Sequence, residues 1–271
     1  MRYGQLKLLL ILICVSSFDV SAQIRVLTWN IQNFGGSKST SSINFIADVI
    51  DDYDLIVLQE VVAGPGGAQA VAKLAEELNR GKWKWDYVIS DPTSGNTYKS
   101  ERYAFLWKTS EVKKIGKPWL EIKFAGLIER EPFYCTFMYK EKEFTMVNFH
   151  AIPKKQQPET EIKYFKFLHE EYPQNNLVFI GDFNCVPSHS VFNPLRKKGF
   201  ISALNGQKTT LKTECKFDKC LASEYDNIWI DTTRVRLQNA EIIPFYQQFP
   251  TLKTAREISD HVPVTAILFF L

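Results

Sequence analysis

The chain has 271 residues, 45% of them hydrophobic, with 20 Phe, 11 Tyr and 6 Trp. That is a globular composition with material for a large core, and it excludes a disordered or low-complexity chain. The net charge of +3 is too mild to argue a nucleic-acid or membrane partner, so substrate and partner must be read from sites.

The first residues read as a signal peptide over residues 1–22. Arg2 and Lys7 give a positive start, Leu8 to Val15 a short apolar run, and Ser21-Ala22 a small-residue exit before Gln23. The run is too short to span a bilayer. The expectation is cleavage near Ala22, export, and a mature domain over residues 23–271. Arg2, Lys7 and Asp19 leave with the leader, so +3 becomes +2. Export permits disulfides. Cys215 and Cys220 share a short polar loop, where a local bridge is favoured, while Cys135 lies in an apolar run that suits a buried thiol.

Short β-branched or aromatic segments bounded by turn residues predict strands at Ile24–Trp29, Asp54–Gln59, Tyr87–Ile89, Tyr103–Trp107, Phe133–Tyr139, Phe144–Phe149, Leu177–Ile180, Asn227–Ile230 and Val262–Phe270. Helical spacing joins Ile43, Ile46, Val49, Ile50 and Tyr53 after a Ser/Thr-rich start that suits an N-cap. Val71, Leu74, Ala75 and Leu78 predict a second helix that stops near Asn79–Gly81, and Ile162, Phe165, Leu168 and His169 a third that begins near Pro158. No internal repeat or long linker interrupts them. Two packed sheets with helices outside, in one domain, is the simplest architecture, though the periods alone also admit a doubly wound sheet.

Polar residues of catalytic type recur where apolar strands end. Asn30 follows Val26–Trp29, Glu60 follows Ile56–Gln59, His150 follows Met146–Phe149 and Asp182 follows Leu177–Gly181. Strand ends are where α/β proteins build sites. Glu60, Asp182, Asp226 and Asp260 would gather several carboxylates, and like charges at short range call for a divalent cation. Ligation by oxygen, with the Asn30 and Asn184 amides alongside, suits a hard ion such as Mg²⁺, which polarises a phosphoryl oxygen. Asp182 and Asn184 are two apart, so on an extended segment both point to one side. Asp260 adjoins His261, and His150 has Glu101 as a candidate partner. Two histidines and a metal suffice for in-line attack by water on a phosphodiester.

Each residue has a plainer reading: Glu60 as a surface carboxylate, His150 as a structural histidine, Asp182 and Asn184 as a turn, Asp260 as a cap. His169 and His189 are read as structural or solvated. The sequence carries no G-x-S-x-G, Walker A or paired C-x-x-C pattern.

Six motifs occur in order: Trp29-Asn30-Ile31-Gln32, Gln59-Glu60, Asn148-Phe149-His150, Gly181-Asp182-Phe183-Asn184, Tyr225-Asp226 and Ser259-Asp260-His261. Together, from about Val26 to Val264, they resemble the endonuclease/exonuclease/phosphatase superfamily. Asn33-Phe34-Gly35, Asp54-Leu55-Ile56, Thr97-Tyr98-Lys99 with Arg102-Tyr103, and Arg130-Glu131-Pro132-Phe133 resemble its deoxyribonuclease I branch, as a secreted bacterial-type member.

The resemblance implies an α/β fold, a four-layer α/β/β/α sandwich of two packed, mostly antiparallel sheets flanked by helices. It implies a Mg²⁺-dependent endonuclease that cleaves DNA with little sequence specificity, with Mn²⁺ and Ca²⁺ as alternative ions. It assigns Asn30, Glu60, Asp182, Asn184 and Asp260 to the metal site, Asn184 also touching substrate. His150 and His261 become the acid/base pair, supported by Glu101 and Asp226, with Asp182 at the reacting centre. Arg102 and Arg130 would contact phosphates and Tyr98 the nucleic-acid backbone or sugar, contacts that position a duplex without reading bases. A monomer without stable membrane association is expected.

The chain departs from that branch in four places. The cysteines near Asn184 and Asp226 do not fall at the branch's usual positions. Val62 to Gly67 carries no arginine where the branch has one for the minor groove. Trp119 to Glu129 replaces a small cysteine loop, and one extra residue separates Tyr98 from Arg102. Two other functions stay in view. A phosphodiesterase acting on a phospholipid such as sphingomyelin or a phosphoinositide needs an exposed apolar loop, for which Phe245–Pro250 and Trp83–Trp85 are the candidates. A non-catalytic binding module on the same scaffold would have no reason to keep the charge cluster.

Overall fold

Ile24, Val26 and Thr28 alternate with Leu27, Trp29 and Ile31, and both sets are buried. A strand covered on both faces lies inside a layered sandwich rather than at a wetted surface. The computed structural model describes residues 23–94, 100–217 and 219–271. The expected leader and Tyr98 lie outside the described residues.

In chain order the elements are β1 (Gln23–Phe34), α1 (Thr40–Ile50), β2 (Leu55–Val62), α2 (Pro65–Arg80), β3 (Trp85–Ile89), β4 (Glu101–Lys108), β5 (Lys113–Leu120), β6 (Phe133–Tyr139) and β7 (Lys142–His150). There follow α3 (Glu159–Ile162), α4 (Phe165–Glu171), β8 (Leu177–Asp182), α5 (Asn193–Lys197), β9 (Phe200–Ser202), β10 (Leu211–Lys216), β11 (Lys219–Leu221), β12 (Asp226–Asp231), β13 (Val235–Ile242), α6 (Leu252–Ala255) and β14 (Val264–Phe270).

The strands form two six-stranded sheets, ordered β13-β14-β1-β2-β4-β3 and β5-β6-β7-β8-β12-β9, with β10-β11 as a separate ribbon. Each sheet holds one parallel pair at its centre, β1/β2 and β7/β8; the other neighbours run antiparallel. Val26, Val57, Phe105, Phe137, Met146, Ile180 and Ile228 fill the space between the sheets. Leu27, Trp29 and Leu58 face outward onto α1 and α2, through Ile43, Ile46, Val71 and Leu74. Val147, Phe149 and Phe179 face outward onto Ile162, Phe165 and Leu168. The four-layer architecture follows.

Near the site the inter-sheet layer turns polar. The Gln59 amide donates to Thr28 Oγ1 (3.0 Å) and to Asn148 Oδ1 (2.7 Å), and Asn148 Nδ2 donates to the Leu58 carbonyl (2.9 Å). All three side chains are buried, and together they tie β1 and β2 to β7.

The structure departs from the sequence expectations in identifiable places. The third helix is two short helices, interrupted at Lys163-Tyr164. The second helix, predicted from Val71 to Leu78 with no start assigned, opens at Pro65, because proline suits a first helical turn. Strands β5, β9, β10, β11 and β13 went unread: β5 and β13 are sheet edges with exposed, charged faces that dilute their period of two, and β9 and β11 are only three residues long. The Cys215–Cys220 bond is present and Cys135 is a buried free thiol, as is Cys185. The apolar loop candidates are packed. Phe245 lies 5.2 Å from the Trp29 ring, and Trp83 and Trp85 flank the buried Lys108 ammonium. Among the described residues, no helix is long and apolar enough to cross a membrane.

Candidate active site

Strand direction decides which residues share a rim. A parallel pair presents its C-terminal ends where antiparallel neighbours present their beginnings. Thus His150 ends β7 and Asp182 ends β8, while Asp226 opens β12 directly opposite Asp182, and Glu101 opens β4 opposite Val62. Asn30 and Glu60 reach the same rim differently. They lie within β1 and β2, where the register shifts, and Glu60 takes a left-handed φ of 58°. Such a bulge re-aims one side chain out of the pleat.

The Gly181-Asp182-Phe183-Asn184 segment is not extended. Asn184 has φ 46°, its N–H donates to Asp182 Oδ1 at 2.8 Å, and its amide donates to the Ala151 carbonyl at 3.0 Å. The turn reading does not compete with a site: a turn, in place of the expected extended geometry, brings both side chains to the rim. Gly181 has φ 137°, and a Cβ there would lie 2.1 Å from the Phe149 carbonyl oxygen. Gly181→Ala is therefore expected to destabilise the fold by about 3 kcal/mol or more, combining backbone strain with overpacking. Urea unfolding measures this, and a loss below about 1 kcal/mol would show that the strand accommodates the methyl group.

One chain of contacts runs through the site. Arg130 donates to Glu101 (3.0 Å), and Glu101 takes His150 Nδ1 (2.9 Å). His150 Nε2 faces Asp182 Oδ2 at 3.4 Å, and His261 Nε2 faces the same oxygen at 3.7 Å. His261 Nδ1 in turn bonds Asp226 Oδ2 at 2.7 Å. Asn30 Nδ2 donates to Asp182 Oδ2 and to Glu60 Oε1, both at 3.1 Å. Ser259 donates to the Asn30 carbonyl (2.6 Å) and accepts from the His261 N–H (3.0 Å), joining β1 to the His261 segment.

Burial disfavours the charged imidazole of His261, but Asp226 and Asp182 outweigh it and lift its pKa to about 10. Burial and Arg130 likewise oppose protonation of His150, and Glu101 and Asp182 prevail, raising it. Asp182 is lowered: burial pushes it up, and the two imidazoles with the Asn184 and Asn30 donors pull it further down. In the metal-free protein, His261 gains charge stabilisation on folding relative to its ordinary value of 6.5. Its contribution to stability is fully present below that value and drains as pH rises toward about 10. Denaturation in chelator from pH 6 to 10 should show this decline, flattened in Asp226→Asn; equal slopes would contradict it.

Not every expected residue joins the cluster. Asp260 stands at its edge, accepting from Gln32 (3.1 Å) and paired with Arg256 (3.4 Å). Arg102 spends Nε on the Ala63 carbonyl (2.8 Å) and Nη1 on that of Ser90 (2.7 Å). Arg130 is nearly buried and also donates to Ala151. Glu161 was not singled out in the sequence. Buried on α3, it accepts the Glu129 and Ile152 N–H groups, at 2.6 and 2.9 Å, and so pins the Arg130 loop to the segment after His150. A short acidic helix gives no signal of that role.

A cleft of about 470 Å³ opens beside the cluster, with Asn33, Glu60, Glu101, Arg130, Val62 and Ile152 in its walls. The donor set fits a hard cation. Asn30 Oδ1 and Asp226 Oδ1 are buried without a hydrogen-bond partner among the described residues. Asp182, Asp226 and His261 bring potential ligand atoms within 4.8 Å of one another. Carboxylate and amide oxygens of this kind are the ligands of Mg²⁺-type ions.

The profile of the Endonuclease/Exonuclease/phosphatase family matches residues 27–261. A deoxyribonuclease of Thioalkalivibrio sp. (strain K90mix) is 27% identical, over 97% of this chain and 75% of that protein. Deoxyribonuclease-1 of Rattus norvegicus is 27% identical over 99% of both chains. The solved structure of an endonuclease/exonuclease/phosphatase family protein from Bacteroides thetaiotaomicron superposes with a TM-score of 0.66 at 17% identity, covering 92% of this chain and 98% of that one.

Proposed function

The chain belongs to the Endonuclease/Exonuclease/phosphatase family, in its deoxyribonuclease I-like branch, and from that premise we propose that it is an exported endonuclease hydrolysing DNA with little sequence preference. It is a metal-dependent phosphodiesterase, with Mg²⁺ the first candidate ion and Mn²⁺ or Ca²⁺ the alternatives. The observation that carries the reading is the convergence of two carboxylate-backed histidines on one oxygen of Asp182.

In this proposal Asn30, Glu60 and Asp260, with Asp182 and Asn184 at the border with substrate, would hold the cation. Bound there, it would neutralise phosphate charge and polarise the P–O bond. The protein's own groups handle the protons. Asp182 orients the attacking water and takes its proton as the new O–P bond forms. His261, kept protonated beyond neutral pH by Asp226, donates Nε2–H to the leaving oxygen as the other P–O bond breaks. The 3.7 Å gap between His261 and Asp182 lets the proton return and resets the pair. His150, backed by Glu101, supports the phosphoryl oxygens, and Arg130 holds Glu101 in place. Phosphate contacts from Arg102 and Arg130, and from Tyr98, would position the strand without reading bases.

The test is nicking of supercoiled plasmid with Mg²⁺, with and without chelator, beside sphingomyelin vesicles. Nicking abolished by chelator and by His261→Ala supports the proposal. Lipid hydrolysis without nicking would replace it, and inactivity on both would favour a binding module. One observation favours keeping the lipid arm: Phe217, at the tip of the β10–β11 ribbon between Lys216 and Lys219, is 97% exposed. The Cys215–Cys220 bond agrees with export to an oxidising compartment. Sequencing the exported protein should find Gln23 at its N-terminus.

A further inference from the structure

Thr209 belongs to none of the motifs, lies just before the β10–β11 ribbon, and is fully buried. Its hydroxyl oxygen accepts the N–H groups of Tyr225 (3.1 Å) and Asp226 (3.0 Å). A hydroxyl has two lone pairs and one proton. With both lone pairs engaged, the proton must go to an acceptor. Asp226 Oδ2 lies at 2.6 Å and the Ser223 carbonyl at 3.3 Å, and the shorter, charge-assisted bond is the stronger. Asp226 Oδ2 is also the oxygen that takes His261 Nδ1, while Oδ1 is buried without a partner among the described residues.

The Thr209 backbone is fixed on both sides of this pair. Its N–H donates to Ser223, just before the Asp226 strand, and its carbonyl accepts from Val262, just after His261, at 2.6 and 2.8 Å. Thr210 forms a bridge with His261, and Leu211 N–H donates to the Asp260 carbonyl at 2.7 Å. The segment is thus wedged between β12, which carries Asp226, and the segment before β14, which carries His261.

We propose that Thr209 is a positioning residue for the Asp226–His261 pair, its hydroxyl proton locking the carboxylate rotation against which the imidazole is aligned. This rests on the reading of His261 as the proton donor to the leaving oxygen. Without the hydroxyl, His261 is the remaining side-chain donor to Asp226 among the described residues, so neither group has an independent reference. Sequence offers no warning, because Lys208-Thr209-Thr210 reads as ordinary loop.

The experiment compares Thr209→Val and Thr209→Ser in wild-type and Asp226→Asn backgrounds, by plasmid nicking and thermal unfolding. Thr209→Val should lower kcat about tenfold, the scale of lost outer-shell partners, with KM unchanged, and Thr209→Ser should restore it. Valine also deprives two backbone N–H groups of their acceptor, so Tm should fall in both backgrounds. The kcat loss should vanish where Asp226 is already Asn. A kcat loss of equal size in both backgrounds, or wild-type kcat in Thr209→Val, would overturn the proposal. A second readout needs no substrate: the downfield proton resonance of His261 Nδ1–H should persist in Thr209→Ser and shift or broaden in Thr209→Val. If the wild type nicks nothing, the nuclease reading fails while this resonance still decides the role of Thr209; an unchanged resonance would refute it.

Discussion

Asp182→Asn is expected to reduce kcat on the order of 10⁴-fold with the fold retained, a loss comparable to neutralising the carboxylate of a catalytic triad. One oxygen of Asp182 serves four groups: His150, His261, Asn30 and Asn184. An amide cannot accept from all of them, and it presents N–H where the imidazoles need an anion. The charge beside both histidines disappears, and so does the group proposed to accept the water proton. Because these groups act as one unit, adding His150→Ala and His261→Ala to Asp182→Asn should cost little beyond the worst single change. Nicking rates on variants matched by Tm provide the measurement. A loss under tenfold would remove Asp182 from the reacting centre.

Removing the divalent ion is the second large effect. Asp182 and Asp226 are buried side by side, and Glu60 and Asp260 add negative charge near them. The metal-free protein therefore holds carboxylates against their mutual repulsion. Chelator should bring nicking to background. Returning Mg²⁺ at about a hundred times its Kd should stabilise the protein by about 2.7 kcal/mol, by mass action on the native state alone. Glu60→Gln should shrink that gain, whereas a substitution on the far side of the sandwich, such as Lys142→Gln, should leave it whole. A Tm indifferent to Mg²⁺, with nicking that survives chelator, would exclude a cation at this rim.

Much of this was legible in the sequence, for definite physical reasons. Strands buried on both faces write unbroken apolar runs, so Ile24–Trp29 and Leu177–Ile180 could be read without a partner in view. Asn30, Glu60, His150 and Asp182 stood out because each follows such a run. Edge strands such as β13, with half their side chains in water, left no such trace. Nor did the shared layout of the two sheets, each with one central parallel pair in the same strand pattern. That likeness lies in backbone pairing, and no repeat of side chains accompanies it. Thr209 and Glu161 act through hydrogen bonds to other segments, Tyr225 and Asp226 for the one, Glu129 and Ile152 for the other, and such joints leave no mark in the local sequence. Asp260 was expected among the metal ligands; its contacts with Gln32 and Arg256 depend on how α6 packs.

The amide bridge of Thr28, Gln59 and Asn148 bears on how the two halves keep their alignment. Apolar contacts are non-directional, so a greasy seam resists separation far better than it resists shear. The rim straddles that seam: Asn30 and Glu60 ride on one sheet, His150 and Asp182 on the other. A slip of about 1 Å would hardly disturb packed methyl groups, yet misplacement on that scale can cost a reaction about a hundredfold. Hydrogen bonds with fixed lengths and angles, set just beneath the reacting groups, work as a dowel through the joint, converting a stable sandwich into an aligned tool.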